Sequence, residues 1–238
     1  MRASVLLGFS LLVALATPPV ISQDSGAIGG IHTHIVGIEI PAIPNAPFTA
    51  TVLVTWNRPL VGGGTVSRKY YTEVARDSQG RVHRETRGFI PADSTAEPPL
   101  RTFTILDPVS STRTTCTAST MNCATSPFQP RVTLSSDGGA LSGAGSNVTH
   151  EKLGQQTMDD LPVVGTRETV TSQDSARVAV RHTDVWYSAD LQMNLSVERT
   201  NPQLGDVSLK VTQLVRGEPD RSWFAIPDGY HAIGARTQ

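Results

Sequence analysis

No apolar run in this sequence reaches the about 20 residues that a membrane-spanning helix needs. The longest, Ala3 to Ala16, is shorter and carries Gly8 and Ser10. Excess charge of either sign is also missing. Lys and Arg number 20 against 21 Asp and Glu, a formal net charge of −1. That balance argues against general polyanion binding and against nucleic acid as a partner. Aromatics make up 5% of the chain, so a core has to be built mainly from Val, Leu and Ile.

Marks of catalysis are scarce as well. There is no G-x-S-x-G elbow, no C-x-x-C pair and no H-E-x-x-H spacing. Gly143-Ala144-Gly145 lacks the third glycine that a dinucleotide loop requires. His32 and His34 would share one face of a strand, which suits either two metal ligands or polar positions near a strand end; no third ligand stands near them. Asp159-Asp160 reads as a turn, and Glu218 with Asp220 as a helix start. The sequence thus names no catalytic residue, no cofactor and no metal site.

What is present begins with Met1-Arg2, the apolar stretch Ala3–Ala16 and then small residues and prolines, the layout of a cleavable signal peptide. Cleavage is expected after Ala16 or after Ser22, which assigns 1–22 to the signal and the rest to the periplasm or the extracellular space. Cys116 and Cys123 are the only cysteines, and in an exported chain such a pair predicts one structural disulfide. It would close a short loop, worth roughly 2 to 3 kcal/mol in the chain-entropy account. Thr114, Thr115, Thr117, Ser119 and Thr120 around it suggest a polar loop rather than a core.

Residues 23–47, rich in Gly and Pro, read as an extended lead-in with a strand at Ile31–Ile40. Phe48, Ala50, Val52, Val54 and Trp56 then alternate with mostly threonine, the period-2 signature of a half-buried strand. Further strands are expected at Val66–Arg76, Arg81–Ile90, Leu100–Leu106, Val163–Thr171, Val178–Tyr187, Leu191–Arg199 and Val207–Val215, with a turn at Asp77-Ser78-Gln79-Gly80. Asn147–Leu161 fits a strand or a short helix. From Ser110 to Ser146 periodicity disappears into Ser, Thr, Gly and Pro, which predicts a long flexible loop holding the disulfide. The reading is therefore a single, mainly β domain over 48–238, antiparallel, with little helix. Its one charge bias is the hairpin Arg68–Arg87, where Arg68, Lys69, Arg76, Arg81, Arg84 and Arg87 outnumber Glu73, Asp77 and Glu85 by three. That face would either meet lipid head groups or an acidic partner, or stand in solvent with cross-strand ion pairs.

Val185-Trp186-Tyr187-Ser188-Ala189-Asp190-Leu191, Asn201-Pro202 with Gly205, Glu218-Pro219-Asp220 and Phe224-Ala225-Ile226-Pro227-Asp228-Gly229-Tyr230 resemble blocks of a set of uncharacterised exported bacterial proteins. Arg76-Asp77-Ser78-Gln79-Gly80-Arg81 and Gly165-Thr166-Arg167 are two further such landmarks. More distantly, the C-terminal order of aromatic strand, hairpin, Pro-Asp-x-x-Phe turn and Pro-x-Gly end is similar to periplasmic LolA-like lipoprotein carriers. That resemblance implies a curved antiparallel sheet or open half-barrel with an apolar concavity. It also implies a binding or carrier role for an apolar or lipid-like ligand, with Val52, Val54 and Trp56 as lining residues. The chain departs from the carriers in having few helical segments to form a lid, and in its Ser110–Ser146 insertion. The competing reading is a structural or interaction module of the cell envelope with a packed core and a protein partner.

Overall fold

The computed structural model describes residues 38–129, 146–174, 177–202 and 204–233. The segment 1–22 expected to be a signal peptide, His32 and His34, most of the strand expected at Ile31–Ile40 and the glycines at 143 and 145 lie outside the described residues.

Strands β1 (Phe48–Pro59), β2 (Thr65–Arg76), β3 (Val82–Arg87), β4 (Ile90–Pro91), β5 (Leu100–Asp107), β6 (Thr112–Thr117) and β7 (Asn122–Pro127) form the first half. The second half holds β8 (Ser146–Met158), β9 (Leu161–Asp174), β10 (Arg177–Ser188), β11 (Met193–Thr200), β12 (Asp206–Arg216) and β13 (His231–Ile233), with one 3₁₀ turn at Arg221–Phe224. All belong to one sheet that runs β13-β7-β6-β5-β3-β2-β1-β12-β11-β10-β9-β8, with β4 paired to β2 off that path. The sheet is curved and unclosed, an open half-barrel. Every pairing is antiparallel except β13 on β7.

Alternation along β1 sets the concave face. Phe48, Ala50, Val52 and Val54 are buried, while on the opposite face the Thr51 hydroxyl donates to the Glu73 carboxylate at 3.1 Å. Cross-strand partners continue the buried row: Tyr70, Val54, Leu209, Val197, Val185 and Thr166 stand opposite one another across six strands. Residues 38–46, which pair with no strand, are folded into this concavity, so that Ile38, Ile40 and Ala46 join the main core cluster.

Arg76 fixes that arrangement. Fully buried, it donates from Nε to the Ala46 carbonyl at 2.9 Å, from Nη1 to Pro41 at 3.0 Å and from Nη2 to Leu191 at 2.9 Å, and it lies 5.0 Å over the Phe48 ring. The Arg76-Asp77-Ser78-Gln79-Gly80-Arg81 landmark is thereby explained. Buried Asp77 accepts from the backbone N–H groups of Gln79 and Arg81 and from the Arg81 guanidinium, closing the turn in which Gly80 N–H bonds Asp77 O at 3.0 Å. The Asn201–Gly205 landmark closes the β11–β12 turn. A Cβ on Gly205, at φ +91, would stand 2.2 Å from the Asn57 carbonyl, so only glycine fits against β1.

Two sequence expectations are corrected. The stretch expected to be loop from Ser110 holds β6 and β7; only 130–145 of it lies outside the described residues. Threonine is a strand former, and the hydroxyls satisfy one another across strands, Thr114 with Thr125 at 3.0 Å and Thr104 with Thr115 at 3.5 Å. The disulfide does join Cys116 to Cys123, directly opposite each other on β6 and β7. It sits in a second apolar cluster with Phe103 and Ile105, backed by Leu100, Phe224 and Tyr230, rather than in a polar loop. The segment 147–158, open between helix and strand, is strand, with a register shift between Lys152 and Gly154.

Candidate functional site

A local loss of strand pairing creates the site. β2 and β3 are neighbours only where Val74–Arg76 faces Val82–Arg84. Beyond Arg84, β3 continues on β5 as far as Arg87 opposite Leu100. The chain then turns at Gly88 and Phe89, and β4 returns to β2, with Ile90 opposite Lys69 and Pro91 opposite Arg68. Between these two contacts backbone pairing is absent. The gap is bridged at its inner end, where Thr72 Oγ1 donates to the Glu85 carbonyl at 2.7 Å and Glu73 N–H to the Glu85 carboxylate at 3.3 Å. Aromatic rings line the opening.

Tyr70 and Phe89 meet edge to face at 4.8 Å, and Trp56 tilts against Phe89 at 6.2 Å. With Val207, Thr86, Gly88, Arg87 and Arg101 they bound a cleft of about 460 Å³, mostly apolar in lining. Phe89 is 40% exposed, and with Trp56 and Tyr70 beside it the exposed ring is part of an aromatic cluster and not a scattered apolar residue. The polar atoms of the walls are largely committed. Trp56 Nε1 donates to the Leu204 carbonyl at 3.2 Å, and burial pushes the Tyr70 hydroxyl pKa up against the opposing charge of Arg84. Arg87 donates to Glu85 at 2.6 Å, to Glu97 at 2.5 Å and to the Pro98 carbonyl at 2.9 Å, bonds that raise its pKa. Exposed Arg101 at the rim has no acidic partner among the described residues.

Past Val207 the same face becomes polar. Trp56, Val207, Arg199, Thr183, Glu168 and His150 stand opposite one another in register, one row out from the packed core. Burial lowers the Arg199 pKa, Arg181 lowers it further, and Glu168 acts the other way. His150 Nε2 lies 3.4 Å from the Glu168 carboxylate. The concavity is therefore filled at the level of Val54 and half-open, with a charged flank, at the level of Trp56.

This divides the three residues expected to line a ligand site. Val52 and Val54 are 4% and 1% exposed inside the packed cluster; Trp56 lines the cleft. Tyr70, Phe89 and Val207 were not among the sequence candidates, because the cleft depends on where β3 leaves β2, which local pattern does not encode. The charge bias of the Arg68–Arg87 hairpin also resolves differently from a basic face. Arg76 is buried, Arg81 pairs with Asp77, and Arg87 pairs with Glu85 and Glu97.

A larger recess of about 710 Å³ lies at the Ser78–Arg81 turn and Glu218–Arg221. Its groups are engaged structurally: Glu218 accepts from Ser78 N–H at 3.0 Å and Asp220 caps the 3₁₀ turn through Ser222 N–H at 2.8 Å. It offers little to an apolar ligand. Among the described residues no group of three His, Cys, Asp or Glu side chains is placed to hold a metal ion, and no helix is long and apolar enough to cross a membrane.

No known protein family profile matches the chain, and no curated protein matches it. Solved structures similar to it include LprF from Mycobacterium bovis, at 14% identity over 78% of this chain and 90% of that one, with a TM-score of 0.30. Another is the lipoprotein LppX from Mycobacterium tuberculosis, at 14% identity over 72% and 87%, TM-score 0.28. A third is a DUF1329 family protein from Desulfovibrio piger, at 9% identity over 76% and 90%, TM-score 0.23. Likenesses at this level say nothing of what this chain binds.

Proposed function

We propose that this protein is an exported binding module that holds an apolar or lipid-like ligand in the cleft between β2 and the β3–β4 crossing. The observation that carries the reading is the ring cluster of Trp56, Tyr70 and half-exposed Phe89 around a mostly apolar opening of about 460 Å³. A hydrocarbon chain laid there gains roughly 0.8 kcal/mol for each CH₂ removed from water, before the costs of association. Half a dozen methylenes give a gross gain of about 5 kcal/mol, each further CH₂ adds to what is left after those costs, and the cleft has the size of a small-molecule site. The intrachain disulfide suits an oxidising compartment, as does the signal segment at 1–22.

Secreted protein, expected to begin at Thr17 or Gln23, is to be extracted and its lipids examined by mass spectrometry. Intrinsic fluorescence is then titrated with fatty acid and with phospholipid. Co-purifying lipid, or a fluorescence change that disappears in Trp56→Phe, supports the reading. Neither, in protein shown to be folded, moves the conclusion to a packed interaction module of the envelope, the reading that the closed core around Val52 and Val54 favours.

A further inference from the structure

Beyond Asn57, β1 loses its β12 neighbour and pairs with β2 alone, Arg58 opposite Val66 and Pro59 opposite Thr65. The ribbon therefore projects from the sheet, its tip about 13 Å beyond Trp56 at about 3.3 Å per residue. Leu60 and Val61 crown it, 49% and 108% exposed. The tip is held open by a turn in which Gly63 N–H bonds Leu60 O at 3.1 Å and Leu60 N–H bonds Gly64 O at 3.1 Å. Gly62 at φ +98 occupies the position that a type II turn reserves for glycine. Nothing lies within 4 Å of where a Cβ would stand on Gly62, Gly63 or Gly64, so the two apolar side chains are presented with no bulk beside them.

Within the ribbon's own chain the charge is one-sided, and the acids near its base are Asp206, opposite Asn57, and Asp93, next to Ala92, whose N–H bonds Ser67 O. No Asp or Glu occurs between Ile40 and Thr72, whereas Arg58, Arg68 and Lys69 stand at the base of the ribbon and take part in no ion pair among the described residues. Elsewhere in the same hairpin Arg76 is buried, Arg81 and Arg87 are paired, and Arg84 is half-buried. An apolar point with a collar of unpaired cations complements an anionic lipid surface, where each basic side chain near the head groups contributes attraction and apolar residues enter the interface. We propose that the β1–β2 tip is a membrane-docking point, with Leu60 and Val61 entering the head-group region of an anionic bilayer and Arg58, Arg68 and Lys69 holding it there. This goes beyond ligand binding in the cleft and stands whether or not the cleft is filled.

The test is flotation of the full exported chain with vesicles of phosphatidylcholine alone and with about one third phosphatidylglycerol. L60S/V61S and R58Q/R68Q/K69Q are compared with the parent; all five positions lie at or near the surface, and unchanged denaturation midpoints verify folding. Any N-terminal segment is common to all three proteins, so differences belong to the tip. The parent is expected to prefer anionic vesicles. L60S/V61S loses at least about tenfold in affinity. The charge variant loses on the order of 100-fold at low salt and with it the preference for anionic lipid. Parent binding that ignores lipid charge, or that persists unchanged in L60S/V61S, overturns the proposal. So does a tip-dependent dimer in sedimentation with no vesicle binding, which assigns the tip to a second copy of this chain instead.

Discussion

Replacing Arg76 by methionine tests the central claim about how the concavity is filled. Burial depresses the guanidinium pKa from 12.5 to about 10, roughly 3 kcal/mol against the charged form, yet it remains protonated at neutral pH. Opposing this are three hydrogen bonds from a charged donor, each worth about 1.5 to 3 kcal/mol, so the bonds outweigh the desolvation. Methionine fills much of the volume but leaves the Ala46, Pro41 and Leu191 carbonyls without that donor. A buried carbonyl left without a donor costs about 1 to 3 kcal/mol, and of the three only Pro41 O keeps a second donor, Ile43 N–H, among the described residues. We therefore expect a loss of about 3 to 5 kcal/mol out of a total of about 5 to 15. Arg76→Lys should recover only part of it, because a compact ammonium does not span acceptors on three separate segments. Equilibrium denaturation followed by tryptophan fluorescence gives the magnitude, and limited proteolysis shows whether residues 38–47 come loose. A loss below about 1 kcal/mol for Arg76→Met, with 38–47 still protected, would refute the reasoning.

Two further outcomes follow from the second cluster. His83 Nδ1 lies 2.8 Å from the Trp223 carbonyl, which can only accept, so Nδ1 carries the proton; the ring also stacks on Phe103 and meets Trp223 edge-on. Burial lowers its pKa from 6.5, with Glu85 and the Trp223 bond opposing. Its stabilising effect is therefore complete above 6.5 and is lost as pH falls through the depressed value. Denaturation midpoints at about pH 7.5 and about pH 5 should differ more in the parent than in His83→Gln; equal differences count against it. For the disulfide, the double substitution C116S/C123S should cost about 3 kcal/mol, most of it loop entropy, and peptide mapping should find Cys116 linked to Cys123. Because the main cluster contains neither cysteine, β1 and β9–β12 should stay protected from hydrogen exchange while β6 and β7 open.

What could be read from sequence followed the physics of each segment. β1 was legible because its two faces differ, Phe48, Ala50, Val52 and Val54 against threonines. β8 was not, because it borders solvent on most sides and buries too little to impose a period. β6 and β7 read as loop in the sequence because hydroxyl-rich composition says nothing about which hydroxyls pair across strands. The Asp77–Gly80 turn is legible in its residue types, but that Arg76 beside it is the most deeply buried charged side chain among the described residues depends on carbonyls supplied 30, 35 and 115 residues away. The cleft was the least visible feature: Trp56, Tyr70, Phe89 and Val207 come from four segments and meet only because β3 changes partner.

An unclosed sheet has two rims, and here they are unequal. One ends in β13, three residues long and laid parallel on the stapled hairpin. The other is β8, whose outer side, with no strand on it among the described residues, offers a run of 13 residues to any passing extended chain. Such a rim is a template for strand-to-strand aggregation. This one is interrupted midway, where Glu151 and Lys152 place opposite charges side by side and the register shift before Gly154, at φ +96, bends the backbone out of line. The register shift thus guards the half-barrel's longer margin, leaving no flat stretch longer than about seven residues on which a second chain could build.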